Sequence, residues 1–174
     1  MHALAGLILA VTIALPAVGD DPQAPVIGDA APPIAAETLD GATPQGRLPP
    51  GEIVVVDFFA TWCRPCHRAL ADLVALRADL GPRVHVLLID VEEDPARVRR
   101  FLAETQVPDG AQVALDRTGA VARRWGQDRF PTTFLVDEKS VIRHINRGWG
   151  TGYRERLGRW LRTMLARGAT GKRI

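Results

Sequence analysis

The stretch Ile53-Val-Val-Val-Asp57-Phe-Phe-Ala60-Thr-Trp62-Cys63-Arg-Pro-Cys66 decides the fold of this 174-residue chain. Residues 53–60 are β-branched and aromatic with one interruption, Asp57, which is typical of a strand covered on both faces. A helical pattern follows over 64–80 and stops at Gly81-Pro82; its inward residues are Leu70, Leu73, Val74 and Leu76. A buried strand that passes directly into a helix predicts an α/β sheet.

Two cysteines lie at the junction between this strand and helix. Cys63 falls at the helix start, where free backbone N–H groups and the helix dipole favour its thiolate, the nucleophile of disulfide exchange. Cys66, one turn later on the same side, is close enough to form a disulfide with Cys63. Pro65 suits an early helical position, and Arg64 adds positive charge. The pair therefore predicts redox chemistry centred on Cys63.

The rest of the chain alternates strands and helices. We expect strands over 84–91, 113–115, 132–136 and 141–145, and helices over 95–105, 119–125 and 152–167. The inward residues of the last helix are predicted to be Leu157, Trp160, Leu161, Met164 and Leu165. This order predicts one mixed sheet with helices on both faces.

The amino-acid composition indicates a folded domain and excludes several classes of protein. Apolar residues at 47% and charged residues at 24% are those of a folded domain, which excludes disorder. Two cysteines are too few for a disulfide scaffold, and no further Cys or Cys-His pair completes a structural zinc site. Residues 140–174 carry nine basic residues and one acidic residue, which suits a solvated helix face, an anionic membrane or an acidic partner. Basic and aromatic residues do not interleave, so no nucleic acid partner is predicted.

The N-terminus has the pattern of a targeting segment. Residues 3–18 are uncharged but fall short of the roughly 20 residues of a membrane span. Pro16 and the small residues at 17–19 predict a signal peptide over 1–19, with an uncleaved anchor as the alternative. The expected location is periplasmic or otherwise extracytoplasmic, where disulfides persist. One domain over 20–174 would remain, soluble after cleavage.

At these residues the chain resembles the thioredoxin superfamily, and within it the exported thiol–disulfide oxidoreductases related to the cytochrome c maturation thioredoxins. The resemblance covers about residues 26–167 and is carried by the quoted stretch, by Phe130-Pro-Thr-Thr-Phe-Leu-Val-Asp137, and by Gly28-Asp-Ala-Ala-Pro32 with Leu39-Asp-Gly41. It implies a thioredoxin fold with a mixed central sheet, an N-terminal β-hairpin and an extra helix and strand over 94–118. Asp57 departs from the exported branch, which often has Asn there.

The resemblance also implies roles for individual residues. Cys63 attacks a client disulfide and Cys66 resolves the mixed disulfide, so no cofactor or metal is needed. Asp57 either accepts the proton of Cys66 or is a satisfied structural carboxylate, and Trp62 either gates the sulfurs or packs. Pro131 is implied to be cis beside the cysteines. The residues expected to bind substrate are Trp62, Arg64, Pro65, Phe130 and Pro131.

The implied partners are a client thiol protein, with apocytochrome c as the family-based expectation, and a membrane electron donor for a monomeric reductant. A disulfide-donating oxidase or isomerase and a non-enzymatic thiol- or metal-binding assembly protein are the alternatives. Cys63-Arg-Pro-Cys66-His67 also matches the C-x-x-C-H haem attachment motif, but a buried strand leading into Cys63 does not suit it. His67, His85 and His144 are predicted to be ordinary surface or strand residues.

Overall fold

The computed structural model describes residues 23–39 and 48–170, so the leader predicted over 1–19 lies outside the described residues. Within them, no helix is both long and apolar enough to cross a membrane. The strands are β1 (Glu37–Thr38), β2 (Ile53–Phe59), β3 (Val84–Val91), β4 (Gln112–Asp116), β5 (Thr132–Val136) and β6 (Ile142–Arg147). The α-helices are α1 (Arg64–Leu80), α2 (Pro95–Glu104), α3 (Ala120–Arg124) and α4 (Tyr153–Thr170), and a short 3-10 helix, Gly81–Arg83, follows α1.

The six strands form one mixed sheet in the order β1-β4-β3-β2-β5-β6. β2 runs parallel to β3 and antiparallel to β5, so the strand that leads into the cysteines lies at the centre. α2 and β4 supply the extra helix and strand expected over 94–118, with β4 parallel to β3. The predicted mixed α/β sheet with flanking helices is confirmed.

Side chains of β2 alternate between two cores. Ile53, Val55 and Phe59 pack with buried residues of α1, α2 and α4 on one face of the sheet. Val54, Val56 and Phe58 pack on the other face with α3, and Phe58 contacts Phe134 and Trp125 edge-on or tilted. Because β2 is covered on both sides, every one of its residues is buried, Asp57 included.

The junction between α1 and its neighbours follows from local sequence. Cys63 is the N-cap residue, and Pro65 lies in the first turn, where a missing N–H costs nothing. At the other end Gly81 adopts φ 73° and donates its N–H to the carbonyl of Arg77, a conformation that L side chains rarely adopt. The helix therefore begins at the cysteines and ends before β3.

Two expectations differ from the structure. Trp160 is 38% exposed and stacks on His144, because it lies at the edge of the apolar stripe of α4, so its inward assignment was wrong. Val74 is only partly buried. In the described residues the N-terminal segment forms β1, which pairs antiparallel with β4. The turn expected at Asp40 lies outside them, so the N-terminal hairpin stays a prediction.

Candidate active site

Cys63 and Cys66 are joined by a disulfide at the start of α1, with their Cα atoms 5.3 Å apart. The Sγ atom of Cys63 accepts the backbone N–H of Cys66 at 3.2 Å, so the helix start stabilises negative charge on this sulfur once it is reduced. Cys63 is 4% exposed and Cys66 is fully buried. In this oxidised state both cysteines belong to the core beneath α1. Cys63 remains the more accessible of the two.

An apolar surface borders the disulfide. Trp62, the residue before Cys63, is 63% exposed, and its ring meets the ring of Phe130 edge-on with centroids 5.4 Å apart. The peptide between Phe130 and Pro131 is cis, and Pro131 is buried immediately before β5. Arg64 and Pro65 are exposed on the first turn of α1. Four of the five residues expected to bind substrate therefore present surface, whereas Pro131 shapes the loop below them.

Asp57 is fully buried near the middle of β2, on the sheet face that packs against α1 and α4. Its Oδ1 atom accepts a 2.6 Å hydrogen bond from the hydroxyl of Thr133, the residue opposite it on β5. Thr133 also lies 2.8 Å from the hydroxyl of Tyr153, which must be the donor because the one Thr133 proton goes to Asp57. Neither Thr133 nor Tyr153 was predicted to belong to this chain of hydrogen bonds.

The charge state of Asp57 follows from this environment. Burial raises the pKa of its carboxyl from 3.8 to about 7, and the hydrogen bond from Thr133 acts in the opposite direction. Its second oxygen, Oδ2, is buried and has no hydrogen-bond partner. Near neutral pH the group can therefore gain or lose a proton at Oδ2, which is what a proton acceptor for Cys66 requires.

The structure adds residues that the sequence analysis missed. Glu93, in the loop after β3, accepts hydrogen bonds from both the backbone N–H and the hydroxyl of Thr61, the latter at 2.6 Å. His67 approaches the carbonyl of Thr61 at 3.1 Å and packs its ring on Phe101. His67 is exposed on α1, as predicted, and it also contacts the active-site loop.

Asp90, at the end of β3, is 1% exposed and faces Glu93. Burial raises the pKa of Asp90 to about 8, and the neighbouring Glu93 adds to the increase. For Glu93, burial alone would raise the pKa, but hydrogen bonds from Asp90 and Thr61 hold it below its ordinary value. The sequence did contain a signal: parallel β2 and β3 end at the same edge of the sheet, and acidic residues follow β3 directly.

The other two histidines lie away from the cysteines along their strands. His85 contacts Glu52 at 3.1 Å on the surface. His144 is partly buried beneath Trp160, and burial, with the nearby Arg156, lowers its pKa. Neither histidine contacts the disulfide, in keeping with their predicted ordinary roles.

Comparison with known proteins gives consistent matches. The AhpC/TSA family model matches residues 27–145. The "Thiol:disulfide interchange protein DsbE homolog" of Paracoccus denitrificans is 34% identical over 135 residues, covering 74% of this chain and 72% of that protein. The "Thiol-disulfide oxidoreductase ResA" of Bacillus thuringiensis is 27% identical over 138 residues, covering 78% and 77%. Among solved structures, a protein of Chlorobium tepidum described as thiol:disulfide interchange protein DsbE has a TM-score of 0.72 at 26% identity, covering 80% of this chain and 98% of its own.

Proposed function

The chain belongs to the AhpC/TSA family of thioredoxin-like proteins and is a thiol–disulfide oxidoreductase, and on this premise we propose that it reduces disulfides of client proteins outside the cytoplasm. The observation that carries the proposal is the disulfide at the start of α1 together with a buried carboxylate, Asp57, on the same face of the sheet and with one unpartnered oxygen. This arrangement supplies a stabilised nucleophile and a separate proton acceptor.

In the first step the Cys63 thiolate attacks one sulfur of a client disulfide. A bond forms between Cys63 Sγ and that sulfur, the client S–S bond breaks, and the departing client thiolate takes a proton from solvent. The hydrogen bond from the Cys66 N–H to Cys63 Sγ favours the thiolate that makes this attack. The exposed ring of Trp62 and the partly buried ring of Phe130 offer the client an apolar contact beside the reacting sulfur.

In the second step Cys66 resolves the mixed disulfide. Its thiol gives a proton to Oδ2 of Asp57, and the resulting thiolate attacks Cys63 Sγ. The bond between Cys63 and the client breaks, the second client sulfur leaves as a thiolate, and the Cys63–Cys66 disulfide is restored. Two electrons have then passed from the protein dithiol to the client disulfide, with no cofactor involved.

Reduction is favoured over oxidation by the charges around the site. Because Asp57 is buried beneath α1, its negative charge disfavours a thiolate and so makes the dithiol a stronger reductant. Arg64 has the opposite effect, but it is exposed, so solvent screens its charge. The two residues between the cysteines are Arg64 and Pro65, so the histidine that could hydrogen-bond the thiolate from this position in an oxidant is absent.

The client, the electron donor and the cell compartment rest on the sequence. A leader over residues 1–19 would export the protein, either cleaved or as an anchor. The family resemblance makes apocytochrome c the first client to test and implies a membrane electron donor for a monomeric reductant. The basic C-terminal region is compatible with a location near an anionic membrane surface.

A trapping experiment tests the proposal. The reduced protein is mixed with a synthetic peptide that carries an oxidised C-x-x-C-H segment, and with the same peptide lacking the histidine. The wild-type protein should reduce the peptide, and Cys66→Ala should accumulate a mixed disulfide through Cys63. Cys63→Ser, the matched control, should form none. A mixed disulfide on Cys63→Ser, or its absence on Cys66→Ala, would contradict the proposed mechanism.

A further inference from the structure

Thr61 lies in the turn that connects β2 to Cys63 at the start of α1. Its backbone N–H, its hydroxyl and its carbonyl each contact another side chain. Its backbone N–H and hydroxyl both donate to the carboxylate of Glu93, and its carbonyl lies 3.1 Å from Nε2 of His67. The N–H of Cys63 bonds the carbonyl of Ala60 at 3.1 Å, which closes the turn around Thr61. A residue fixed in this way determines how Cys63 enters the first turn of α1.

Glu93 is itself held in place by the residues around it. Its side chain is 5% exposed, and Arg97, in the first turn of α2, approaches it at 3.8 Å. Asp90 lies against it, 1% exposed, and neither carboxylate oxygen of Asp90 has a hydrogen-bond donor. Two carboxyl groups that face each other away from water avoid repulsion when one keeps its proton and donates it to the other.

We propose that Asp90 and Glu93 share one proton and act as positioning residues, with Glu93 holding Thr61 so that Cys63 sits at the N-cap of α1. The inference deepens the proposed function, on which it rests for the role of Cys63 as the attacking thiol. Asp90 is the partner that keeps the proton, since its pKa is raised whereas that of Glu93 is lowered. Glu93 is then an anion with donors on both sides, from Thr61 and from Asp90.

Two other charged groups face this pair: Asp116 on β4 and Arg97 on α2. Of the remaining neighbours, His67 on α1 approaches the Thr61 carbonyl, and Glu92 in the same loop is exposed and pairs with Arg123 of α3. Asp116 opposes ionisation of Asp90, whereas Arg97 favours the anionic form of Glu93. These charges therefore support the same distribution of the shared proton.

Positioning and simple charge effects predict opposite results for Glu93→Gln. Removing a nearby negative charge would by itself make the Cys63 thiolate easier to form and lower the pH midpoint of its alkylation. Releasing Thr61 would instead loosen the N-cap contact between Cys63 Sγ and the Cys66 N–H, and raise that midpoint. The direction of the change thus separates the two explanations.

The experiment measures iodoacetamide alkylation of Cys63 against pH in reduced protein carrying Cys66→Ala. We expect Glu93→Gln to raise the midpoint by roughly half a pH unit, and Thr61→Val, which removes a hydrogen bond without changing charge, to raise it less. Glu92→Gln, an exposed acid in the same loop, is the matched control and should leave the midpoint unchanged. An unchanged or lowered midpoint in Glu93→Gln, or wild-type behaviour of Thr61→Val, would overturn the proposal.

The shared proton is tested by two replacements of Asp90. Asn can still donate to Glu93 and should keep the wild-type midpoint, whereas Leu cannot donate and should raise it. In the oxidised protein, which has no thiol to titrate, protection of the Thr61 amide from hydrogen exchange should fall above about pH 8 and stay constant in Asp90→Asn. The sharing of a proton would be contradicted if Asp90→Asn raised the alkylation midpoint as Asp90→Leu does. It would also be contradicted if Thr61 amide protection in Asp90→Asn fell above about pH 8, as expected for the wild type.

These measurements do not depend on a client. If the trapping experiment fails but Glu93→Gln raises the alkylation midpoint, the positioning role stands and the proposed reductase function falls. If trapping succeeds and the alkylation midpoint of Glu93→Gln does not rise, the reductase function stands and the positioning role falls. Should Asp90→Leu fail to fold, the exchange comparison between the wild type and Asp90→Asn decides the question.

Discussion

Asp57 and Thr133 face each other across β2 and β5, and the Thr133 hydroxyl donates a 2.6 Å hydrogen bond to one of the two carboxylate oxygens. The other oxygen, Oδ2, is buried without a partner. A carboxylate satisfied on one side only is costly in a core, and the role proposed for Asp57, to accept a proton at Oδ2, gives that cost a function.

Replacing Asp57 by Asn should stabilise the oxidised protein at neutral pH. The folded protein holds the proton up to about pH 7, whereas the unfolded chain releases it near 3.8. The contribution of Asp57 to the free energy of unfolding is therefore fully present below pH 3.8 and is lost as the pH rises toward 7. The gain from Asn should be near zero at pH 3.5 and reach at most about 4 kcal/mol above pH 7. Chemical denaturation across this range measures it.

Asp137→Asn is the control for Asp57→Asn and should change the free energy of unfolding in the opposite direction. Hydrogen bonds from Val141, Arg143 and Lys139 outweigh burial and lower the pKa of Asp137. Its contribution to stability is present above pH 3.8 and is lost as the pH falls, so Asp137→Asn should destabilise the protein at neutral pH. If both variants changed stability in the same direction, the buried-carboxylate explanation of Asp57 would be wrong.

The role of Asp57 as a proton acceptor predicts a pH dependence for resolution of the mixed disulfide. Its rate should rise with pH around a midpoint near 7 in the wild type and lose this dependence in Asp57→Asn. Thr133→Val removes the hydrogen bond that lowers the pKa of Asp57 and should move the midpoint upward. Thr132→Val is the matched control, since the Thr132 hydroxyl bonds the Arg129 carbonyl instead. Stopped-flow decay of a preformed mixed disulfide gives the rates.

The sequence predicted the parts of the site that are local. The apolar run through Asp57 and the spacing of Cys63 and Cys66 placed a strand covered on both faces and a helix-start thiol correctly, because both depend on neighbours in the chain. The family resemblance implied a cis Pro131, and the peptide is cis. Trp160 was misplaced because a helical pattern cannot decide whether the edge of an apolar stripe is covered.

Contacts between distant segments could not be predicted in the same way. Glu93 is 32 residues from Thr61, and Thr133 is 76 residues from Asp57. Each pair meets only because the sheet order puts β3 and β5 on either side of β2. The number of acidic residues after β3 was visible in the sequence, but which of them turns inward depends on the path of the loop.

Trp62 should matter for protein clients more than for small disulfides. Its ring is 63% exposed, so Trp62→Ala removes little buried surface and should leave the free energy of unfolding nearly unchanged. Loss of the apolar contact beside Phe130 should raise the KM for a protein disulfide by roughly tenfold. The control is Trp160→Ala, which removes the other exposed tryptophan named above, on α4, and should not change KM. Equal effects of Trp62→Ala on protein and small-molecule substrates would contradict a client contact.

The two thiols of the reduced protein should differ in reactivity. Cys63 lies at the N-cap and keeps some exposure, whereas Cys66 is fully buried. With limiting iodoacetamide near neutral pH, Cys63 should be alkylated at least roughly tenfold faster. Peptide mapping by mass spectrometry assigns the label. Equal labelling, or faster labelling of Cys66, would reverse the roles given to the two residues.

The reduction potential decides the direction of electron flow. The same dithiol chemistry serves reductants near about −270 mV and oxidants near about −120 mV, according to how strongly the reduced thiolate is stabilised. Asp57 opposes that thiolate from within the core, and the exposed Arg64 favours it by about 20 mV at most. Equilibration with glutathione should therefore give a value more negative than about −200 mV, on the reducing side of protein disulfide isomerase. Arg64→Gln should make the potential more negative by no more than about 20 mV, because it removes a cation that favours the thiolate. Asp57→Asn should make the potential less negative, because it removes the buried carboxylate that opposes the thiolate. A wild-type value less negative than about −160 mV would mean that the protein donates disulfides to its clients.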